Sequence, residues 1–328
     1  MSQSDYDKLP APHQASHYDD DEIDLKELFQ VLWQGKLTII LTIVVASTIA
    51  VGVALSMPNI YRSEALLAPV SAESGGLGNL ASKFGGLASL AGVSLPGGGG
   101  GDKTTTGLEV LKSRVFFADF MAKHDVLVPL MATKGWNASN NQLIIDEDVF
   151  NTSTQQWVRE AKPPRGSKPS VQEAHKAFVK LLSVSQDKET GFVTIGIEHY
   201  SPYVAQQWIN ALIEMINETI KAQDVTQAQR SIDYLEAQIA STQLAELQAG
   251  FFEMIQSQTE TIMLANASPE YLFKTLDPAV VPELKAKPKR ALICVLGALL
   301  GGMLGVLWVL IRHYANKPDE TLTSAVKA

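Results

Sequence analysis

The feature that most constrains this chain is a pair of long apolar runs, one near each end of the sequence. Residues 37–55 contain no charged side chain, and neither do residues 291–311. As helices with a rise of ~1.5 Å per residue they would measure roughly 28 to 32 Å, which matches a hydrocarbon core of ~30 Å. Two uncharged stretches of this length are improbable as central helices of a soluble fold. The sequence therefore predicts two transmembrane helices, with the whole middle section displayed on one side of a membrane.

The segment before the first run indicates that this run is an anchor and not a removable signal peptide. Residues 1–36 are polar and acid-rich, and no small-residue cleavage site ends the run. We expect a flexible tail followed by a short amphipathic helix at the membrane interface over residues 23–34.

The charge balance excludes nucleic acid as a partner. The net charge is -8 and the pI is near 5.3, whereas a phosphate-binding surface needs a basic patch. The single cysteine, Cys294, lies inside the second apolar run and can form no internal disulfide.

Charge counting leaves the orientation open. Two cations, Lys26 and Lys36, flank the first run on its N-terminal side and one, Arg62, follows it. This difference weakly favours a cytoplasmic N-terminus. The second run points the other way, because it is preceded by more cations than follow it. Those before it are Lys285, Lys287, Lys289 and Arg290, and those after it are Arg312 and Lys317.

Periodicity in the middle section predicts a mixture of strands and helices. We expect a strand over 59–70, a mobile glycine-rich loop over 75–101, a helix over 107–124 and a loop-rich excursion over 133–170. A helix over 171–180 and a hairpin of strands 181–185 and 192–197 follow, and Ser201 and Pro202 open another helix.

A long helix over about 223–267 is predicted next, because no proline interrupts an apolar repeat there. Such a helix either projects from the domain or pairs with helices of neighbouring subunits. We expect Leu235, Ile239 and Leu247 to pack inside an oligomer or against its base, and Gly250 is a candidate interruption.

Small residues recur every four positions in both apolar runs. In the second run they are Gly297, Gly301 and Gly305, which form two overlapping G-x-x-x-G units. In the first run they are Ala46, Ala50 and Ala54. Because small residues let helix backbones approach closely in lipid, we predict that these two faces pack together. Glycine is also common in membrane helices generally, which is the alternative interpretation.

No catalytic, cofactor or metal site is predicted. The six histidines lack metal-ligand spacing, and the hydrolase elbow, zinc-protease helix and phosphate loop are all missing. A glycan-modifying enzyme would need paired carboxylates in a cleft, which the sequence does not indicate. A two-span sensor would need a signalling module, for which the residues after the second run leave little room.

Several stretches resemble the polysaccharide co-polymerase family, the Wzz-type chain-length determinants. One leads into the second span, from Asp277 through Pro278, Pro282, Pro288, Lys289 and Arg290 to Ile293. Others are residues 264–271, residues 21–28 with Leu32, Trp33 and Lys36, the strand with Tyr61 and Pro69, residues 111–114, 183–191, Pro202 and 208–210. The resemblance covers nearly the whole chain except the N-terminal tail and residues 133–170.

The resemblance implies an α+β fold in which two transmembrane helices flank a periplasmic α/β base domain with a long extended helix. The implied organisation is a cytoplasmic tail and interfacial helix (1–36), a span (37–55), a periplasmic chain-length determinant domain (56–290), a second span (291–311) and a cytoplasmic tail (312–328). The protein would sit in a bacterial inner membrane with both termini cytoplasmic.

The resemblance also implies a function without catalysis. Such proteins form ring-like homo-oligomers in membrane lipid and set the length of lipopolysaccharide O-antigen made from lipid-linked polysaccharide by a separate polymerase. Relatives in capsule or exopolysaccharide export carry a cytoplasmic tyrosine kinase, for which the tail after residue 311 is too short. That departure favours the O-antigen branch and leaves open an export system with a separate kinase.

Overall fold

The structure is a computed structural model that describes residues 25–70, 100–241 and 244–315. The chain divides into two compact units. One holds the described residues up to Ser56 and from Arg290 onward, and the other lies between Met57 and Lys289. The expected N-terminal tail over 1–22, almost all of the glycine-rich loop over 75–101 and the C-terminal tail from residue 316 lie outside the described residues.

The first unit consists of helices α1 (Leu25–Gln34), α2 (Lys36–Ser56) and α9 (Arg290–Ala315). Helices α2 and α9 have mean hydropathies of 2.5 and 2.4, and only 6% and 17% of their most apolar windows are buried within the protein. Their length and composition are sufficient to cross a membrane, and most of their apolar side chains face outward. The apolar helices expected from the sequence are therefore present at both ends of a central unit.

The second unit is built on a four-stranded antiparallel sheet in the order β6-β7-β1-β8. Its strands are β1 (Tyr61–Pro69), β6 (Leu182–Gln186), β7 (Val193–His199) and β8 (Phe273–Asp277). The register pairs Tyr61 with His199. At the β6–β7 turn, the Asp187 carboxylate accepts backbone hydrogen bonds from Thr190 at 2.8 Å and Glu189 at 2.9 Å. These bonds stabilise the charged form, so the pKa of Asp187 is lowered.

Helices cover the sheet and close one hydrophobic core. They include α3 (Gly100–Leu111), α4 (Arg114–Lys123), α5 (Leu127–Met131), α6 (Val171–Leu181) and the first half of α7 (Pro202–Ser241), which packs on the sheet. The predicted helix over 107–124 is divided into two, because the Ser113 side chain accepts from the Phe116 N–H and caps α4. The Phe117 and Phe178 rings lie 4.8 Å apart in the core, which also contains Leu67 and Ile195 of the sheet.

The region 133–170 is more ordered than the sequence indicates. It contains two short antiparallel pairs, β2 (Thr133–Asn137) with β3 (Gln142–Ile145) and β4 (Phe150–Asn151) with β5 (Gln156–Trp157). Asn141 adopts a left-handed φ of 53° at the first turn. Strands of two to five residues are too short to produce a period that can be read from the sequence.

The long helical region ends where the sequence predicts, but it starts earlier and is broken near Leu244. Helix α7 runs from Pro202 to Ser241 and α8 from Ala245 to Ala267, and the two pack against each other as an antiparallel hairpin. The expected single helix over about 223–267 is thus replaced by most of the second half of α7 and the whole of α8. Gly250 does not interrupt it, because it lies inside α8. Neither glycine nor proline lies near the break at Leu244, so no residue there is a helix breaker that could have predicted it.

Candidate functional site

Helices α2 and α9 run antiparallel with the predicted small residues between them. A Cβ added at Gly297 would lie 2.5 Å from the Ala50 Cβ, and one added at Gly301 would lie 2.6 Å from the Ala46 Cβ. Real Cβ atoms essentially never come this close, so the two backbones approach to a distance that only glycine permits. We call this contact the small-residue seam; it is formed by Gly297, Gly301 and Gly305 of α9 and the facing residues of α2.

The seam ends differently from the sequence-based expectation. Gly305 faces Thr42 and Ile39, and a Cβ there would overlap the Thr42 Oγ1. Ala54 is 1% exposed, and its carbonyl oxygen accepts a hydrogen bond from Arg290 Nε at 3.0 Å. Sequence reasoning missed Thr42, although it precedes Ala46 by the same four positions as Ala46 precedes Ala50.

The seam suits van der Waals association in a bilayer. Apolar surface gains no hydrophobic free energy by moving from lipid to protein, so close dispersion contact must hold such helices together. The Thr42 hydroxyl donates to the Ile39 carbonyl at 2.8 Å, which satisfies it inside its own helix. The Thr42 hydroxyl therefore needs no hydrogen-bond partner from the lipid.

The proline-rich segment before α9 runs beside the start of β1. The Ile60 N–H donates to the Lys287 carbonyl at 3.0 Å, and the Ala286 N–H donates to the Ile60 carbonyl at 2.8 Å. Farther along, the Ser63 hydroxyl donates to the Val280 carbonyl at 2.7 Å. The residues that make these contacts, Val280, Ala286 and Lys287, lie between the three prolines of the segment, Pro278, Pro282 and Pro288.

An ion pair and the flanking cations complete this segment. Lys287 Nζ lies 2.6 Å from a Glu198 carboxylate oxygen on β7. Lys289 is exposed and is the last residue of the second unit, and Arg290 begins α9. The segment that resembles the family motif therefore ties the end of the domain to its first strand.

Asn217 of α7 holds the start of β8 and was missed by sequence reasoning. Its side-chain oxygen accepts the N–H groups of Leu272 at 2.7 Å and Phe273 at 2.8 Å. Its amide donates to the carbonyls of Ile213 and Phe273, each at 3.1 Å. Asn217 is only 4% exposed, so this network supplies partners for backbone groups that water cannot reach. A polar residue in the apolar stripe of a helix was the available signal.

A second polar contact joins α7 to residues 268–272. The Tyr271 hydroxyl donates to the Asp224 carboxylate at 2.7 Å, and Lys103 Nζ lies 2.8 Å from the same oxygen. Burial, followed by this hydrogen bond, raises the pKa of Tyr271. The residues that resemble the family between 264 and 271 are thus fixed against α7.

The three predicted packing residues of the long helix have different environments. Leu235 is buried in the hairpin of α7 and α8. The Ile239 carbonyl accepts from Gln248 Nε2 of α8 at 3.4 Å. Leu247 is half exposed. The structure therefore brings Leu235 into the subunit's own hairpin and leaves Leu247 on its surface.

His199 is a buried histidine with both ring nitrogens bonded. Nε2 lies 3.1 Å from the Pro129 carbonyl, and Nδ1 accepts the Ser201 N–H at 3.0 Å. This arrangement fits the neutral ring, and burial lowers the pKa of His199. In the part of the chain that the structure describes, no three His, Cys, Asp or Glu side chains are grouped so that they could hold a metal ion.

Fold and site together define a class: a protein with an apolar helix at each end of a mixed helix and strand domain from which a helical hairpin extends. The Wzz family model, described as chain length determinant protein, matches residues 21–124. A second model, described as the G-rich domain on putative tyrosine kinase, matches residues 248–314. The chain therefore carries a Wzz chain-length-determinant domain over residues 21–124, as the sequence resemblance indicated.

Comparison with solved structures and curated proteins adds little to the family assignment. A full-length bacterial polysaccharide co-polymerase is 17% identical, with a TM-score of 0.37, over 90% of this chain and 100% of that one. A fragment of WzzB, a polysaccharide co-polymerase from Salmonella Typhimurium, is 11% identical, with a TM-score of 0.28, over 70% of this chain and 100% of that one. No curated protein matches the chain. At these TM-scores the assignment depends on the sequence models.

Proposed function

We propose that this protein is a non-enzymatic regulator of the chain length of lipopolysaccharide O-antigen. It acts as a ring-like homo-oligomer beside a separate membrane polymerase that extends lipid-linked polysaccharide. The single observation that carries this proposal is the match of residues 21–124 to the chain length determinant family. Regulation of glycan length is the function that gives this family its description.

The proposed orientation places both termini in the cytoplasm and the 57–289 unit in the periplasm. Two apolar helices give an even number of crossings, so the two termini lie on the same side of the membrane. The family resemblance supports the cytoplasm as that side. A long segment such as 57–289 is translocated largely regardless of its charge, so the cations before α9 do not oppose this orientation.

Association with further copies of the chain is supported by the surface of the helical hairpin. Large apolar side chains are exposed along α7 and α8, where they are accessible to another protein surface. These residues are Tyr234, Leu247, Phe252, Met254, Met263 and Leu264. We propose that neighbouring copies in the oligomer cover them.

Deletion of the gene tests the proposed function. Without a length regulator, the polymerase still extends the glycan, but the length at which each chain is released is not regulated. The expected result is a surface glycan ladder that changes from a clustered length to a broad, mostly short distribution. A wild-type copy supplied on a plasmid is the control and should restore the cluster. Complete loss of the glycan would show that the protein is required for synthesis, which contradicts the proposal.

A second candidate is a capsule or exopolysaccharide co-polymerase that works with a separate tyrosine kinase. The match of residues 248–314 to the G-rich domain on putative tyrosine kinase favours it. The two candidates are distinguished by which polymer changes in the deletion strain. A changed O-antigen ladder with an unchanged capsule supports the first candidate, and the reverse supports the second.

A further inference from the structure

Three aromatic side chains meet at one end of the sheet. Tyr61 begins β1, Trp136 lies on β2, and Tyr203 lies in the first turn of α7. The Tyr61 and Trp136 ring centroids are 5.5 Å apart in an edge-on arrangement, and those of Trp136 and Tyr203 are 6.1 Å apart. We call these three residues the aromatic cluster. It forms where the β2–β3 hairpin docks onto the domain.

The cluster is at the surface and is not part of the hydrophobic core. Tyr203 is 42% exposed, and Tyr61 and Trp136 are partly exposed. The Trp136 Nε1–H donates to the Asn141 side-chain oxygen of the same hairpin at 2.9 Å. Because this donor already has a partner, the indole can leave water without an unsatisfied N–H.

Covalent geometry limits how far the cluster can lie from a bilayer that holds α2 and α9. Only residues 57–60 separate the end of α2 from Tyr61, a connection of at most ~18 Å. Ile60, the neighbour of Tyr61, is hydrogen-bonded to Lys287, and only two residues separate Lys287 from α9, at most ~11 Å. Both connections to the apolar helices therefore leave from the end of the sheet that carries the cluster.

Side-chain chemistry at this end fits a lipid headgroup layer. Tryptophan and tyrosine are enriched at membrane interfaces, where an apolar ring and a polar edge are both accommodated. The exposed side chains of Lys285 and Lys289 add positive charge on the same connection, which attracts the phosphates of anionic lipids. Trp136 also lies beyond residues 21–124, which the chain length determinant model matches. The hairpin is thus a feature of this chain that the family model does not describe.

We propose that the aromatic cluster of Tyr61, Trp136 and Tyr203 inserts into the phospholipid headgroup layer and seats the domain on the membrane. This contact goes beyond the proposed function, because it requires only that α2 and α9 span a bilayer. It applies on either side of the membrane. Its failure would leave the role in glycan length untouched.

Tryptophan fluorescence of the full chain tests the proposal. The chain is reconstituted in vesicles of phosphatidylethanolamine and phosphatidylglycerol after Trp33→Phe and Trp308→Phe, which remove the indoles of the apolar unit. The Trp136→Phe variant in this background identifies the emission of Trp136 by difference. The matched control is Trp157→Phe, which removes the indole of the other hairpin, where it packs on Phe150 with ring centroids 5.0 Å apart.

The expected result is that lipids with a nitroxide on the headgroup quench the Trp136 emission, whereas aqueous iodide does not. Trp136→Phe should then remove most of the lipid-quenchable signal, and Trp157→Phe should leave it. The emission of Trp208, which is 6% exposed in the core, reports whether each variant is folded. Quenching of Trp136 by iodide and not by nitroxide lipid, in the background that lacks Trp33 and Trp308, would overturn the proposal. So would a spectral response of Trp136 to soluble glycan oligosaccharide without quenching by nitroxide lipid, which would assign the cluster to sugar binding.

Discussion

Substitution of Gly301 by alanine measures the importance of the small-residue seam. The new methyl group would lie 2.6 Å from the Ala46 Cβ, 3.0 Å from the Thr42 carbonyl oxygen and 3.1 Å from the Ile43 Cα. Favourable carbon contacts need about 3.5 to 4.0 Å, so the helices must separate locally by about 1 Å. Two of these three neighbours are backbone atoms and cannot rotate away.

The neighbouring glycine provides a matched control. A Cβ at Gly302 would lie 3.6 Å from the Ile43 side chain, which is ordinary contact. Both alanine variants gain the same intrinsic helix preference, about 1 kcal/mol in water, so their difference isolates packing. Because overpacking typically costs ~1 to 3 kcal/mol, Gly301→Ala should be less stable than Gly302→Ala by about that amount.

The assay is denaturant-induced unfolding of the purified full chain in detergent micelles, followed by circular dichroism. Strains complemented with each variant are then compared by their glycan ladders. Replacing Gly301 and Gly305 together with leucine enlarges the perturbation and should disturb oligomer size or glycan length while membrane insertion remains intact. Equal unfolding midpoints for Gly301→Ala and Gly302→Ala would refute the reasoning, and normal regulation by the double leucine variant would show that the seam has no functional role.

Three further predictions concern the 57–289 unit. Asn217→Ala leaves the buried N–H groups that it bonds without acceptors, at ~1 to 3 kcal/mol each; chemical unfolding should show a clear loss of stability, and the exposed Asn210→Ala on the same helix should show none. Because burial lowers the pKa of His199, its contribution is fully present above the unfolded pKa of ~6.5 and declines as the pH falls below it; the unfolding midpoint should drop between about pH 7.5 and 5.5, and an equal drop in His199→Gln would contradict this assignment. Leu235→Ala should destabilise the hairpin by ~2 to 5 kcal/mol, whereas the half-exposed Leu247→Ala should leave unfolding unchanged and reduce oligomer size in light scattering; the opposite pattern would exclude the proposed subunit contact.

The parts of the fold that were predictable from the sequence are those with a strong local signal. The apolar helices were located because a span without charge has few alternative explanations. The β6–β7 hairpin was predictable because Asp187 to Gly191 supply turn residues whose hydrogen bonds are local. The glycines of α9 were selected by spacing alone, and the alanines that face two of them were identified by the same rule.

The parts that were not predictable depend on contacts between residues distant in sequence. Helix α8 folds back along α7 because their packing buries Leu235. No residue near the break at Leu244 has a property that predicts this turn. Asn217 bonds to residues more than fifty positions away, so its role was invisible without the fold. The pairing of Ile60 with Lys287 joins opposite ends of the domain, and a scan for local patterns cannot find it.

That pairing has a consequence for exchange of this domain between relatives. The chain enters and leaves the 57–289 unit through adjacent residues, Ile60 and Lys287, which are hydrogen-bonded to each other. Any replacement domain would therefore need only an entry and an exit that lie side by side, as Ile60 and Lys287 do. A chimera with junctions near residues 57 and 289 would keep α2, α9 and their seam unchanged while the extramembrane part is replaced. Recombination at these two points could therefore change the glycan length that a cell displays without rebuilding its membrane anchor.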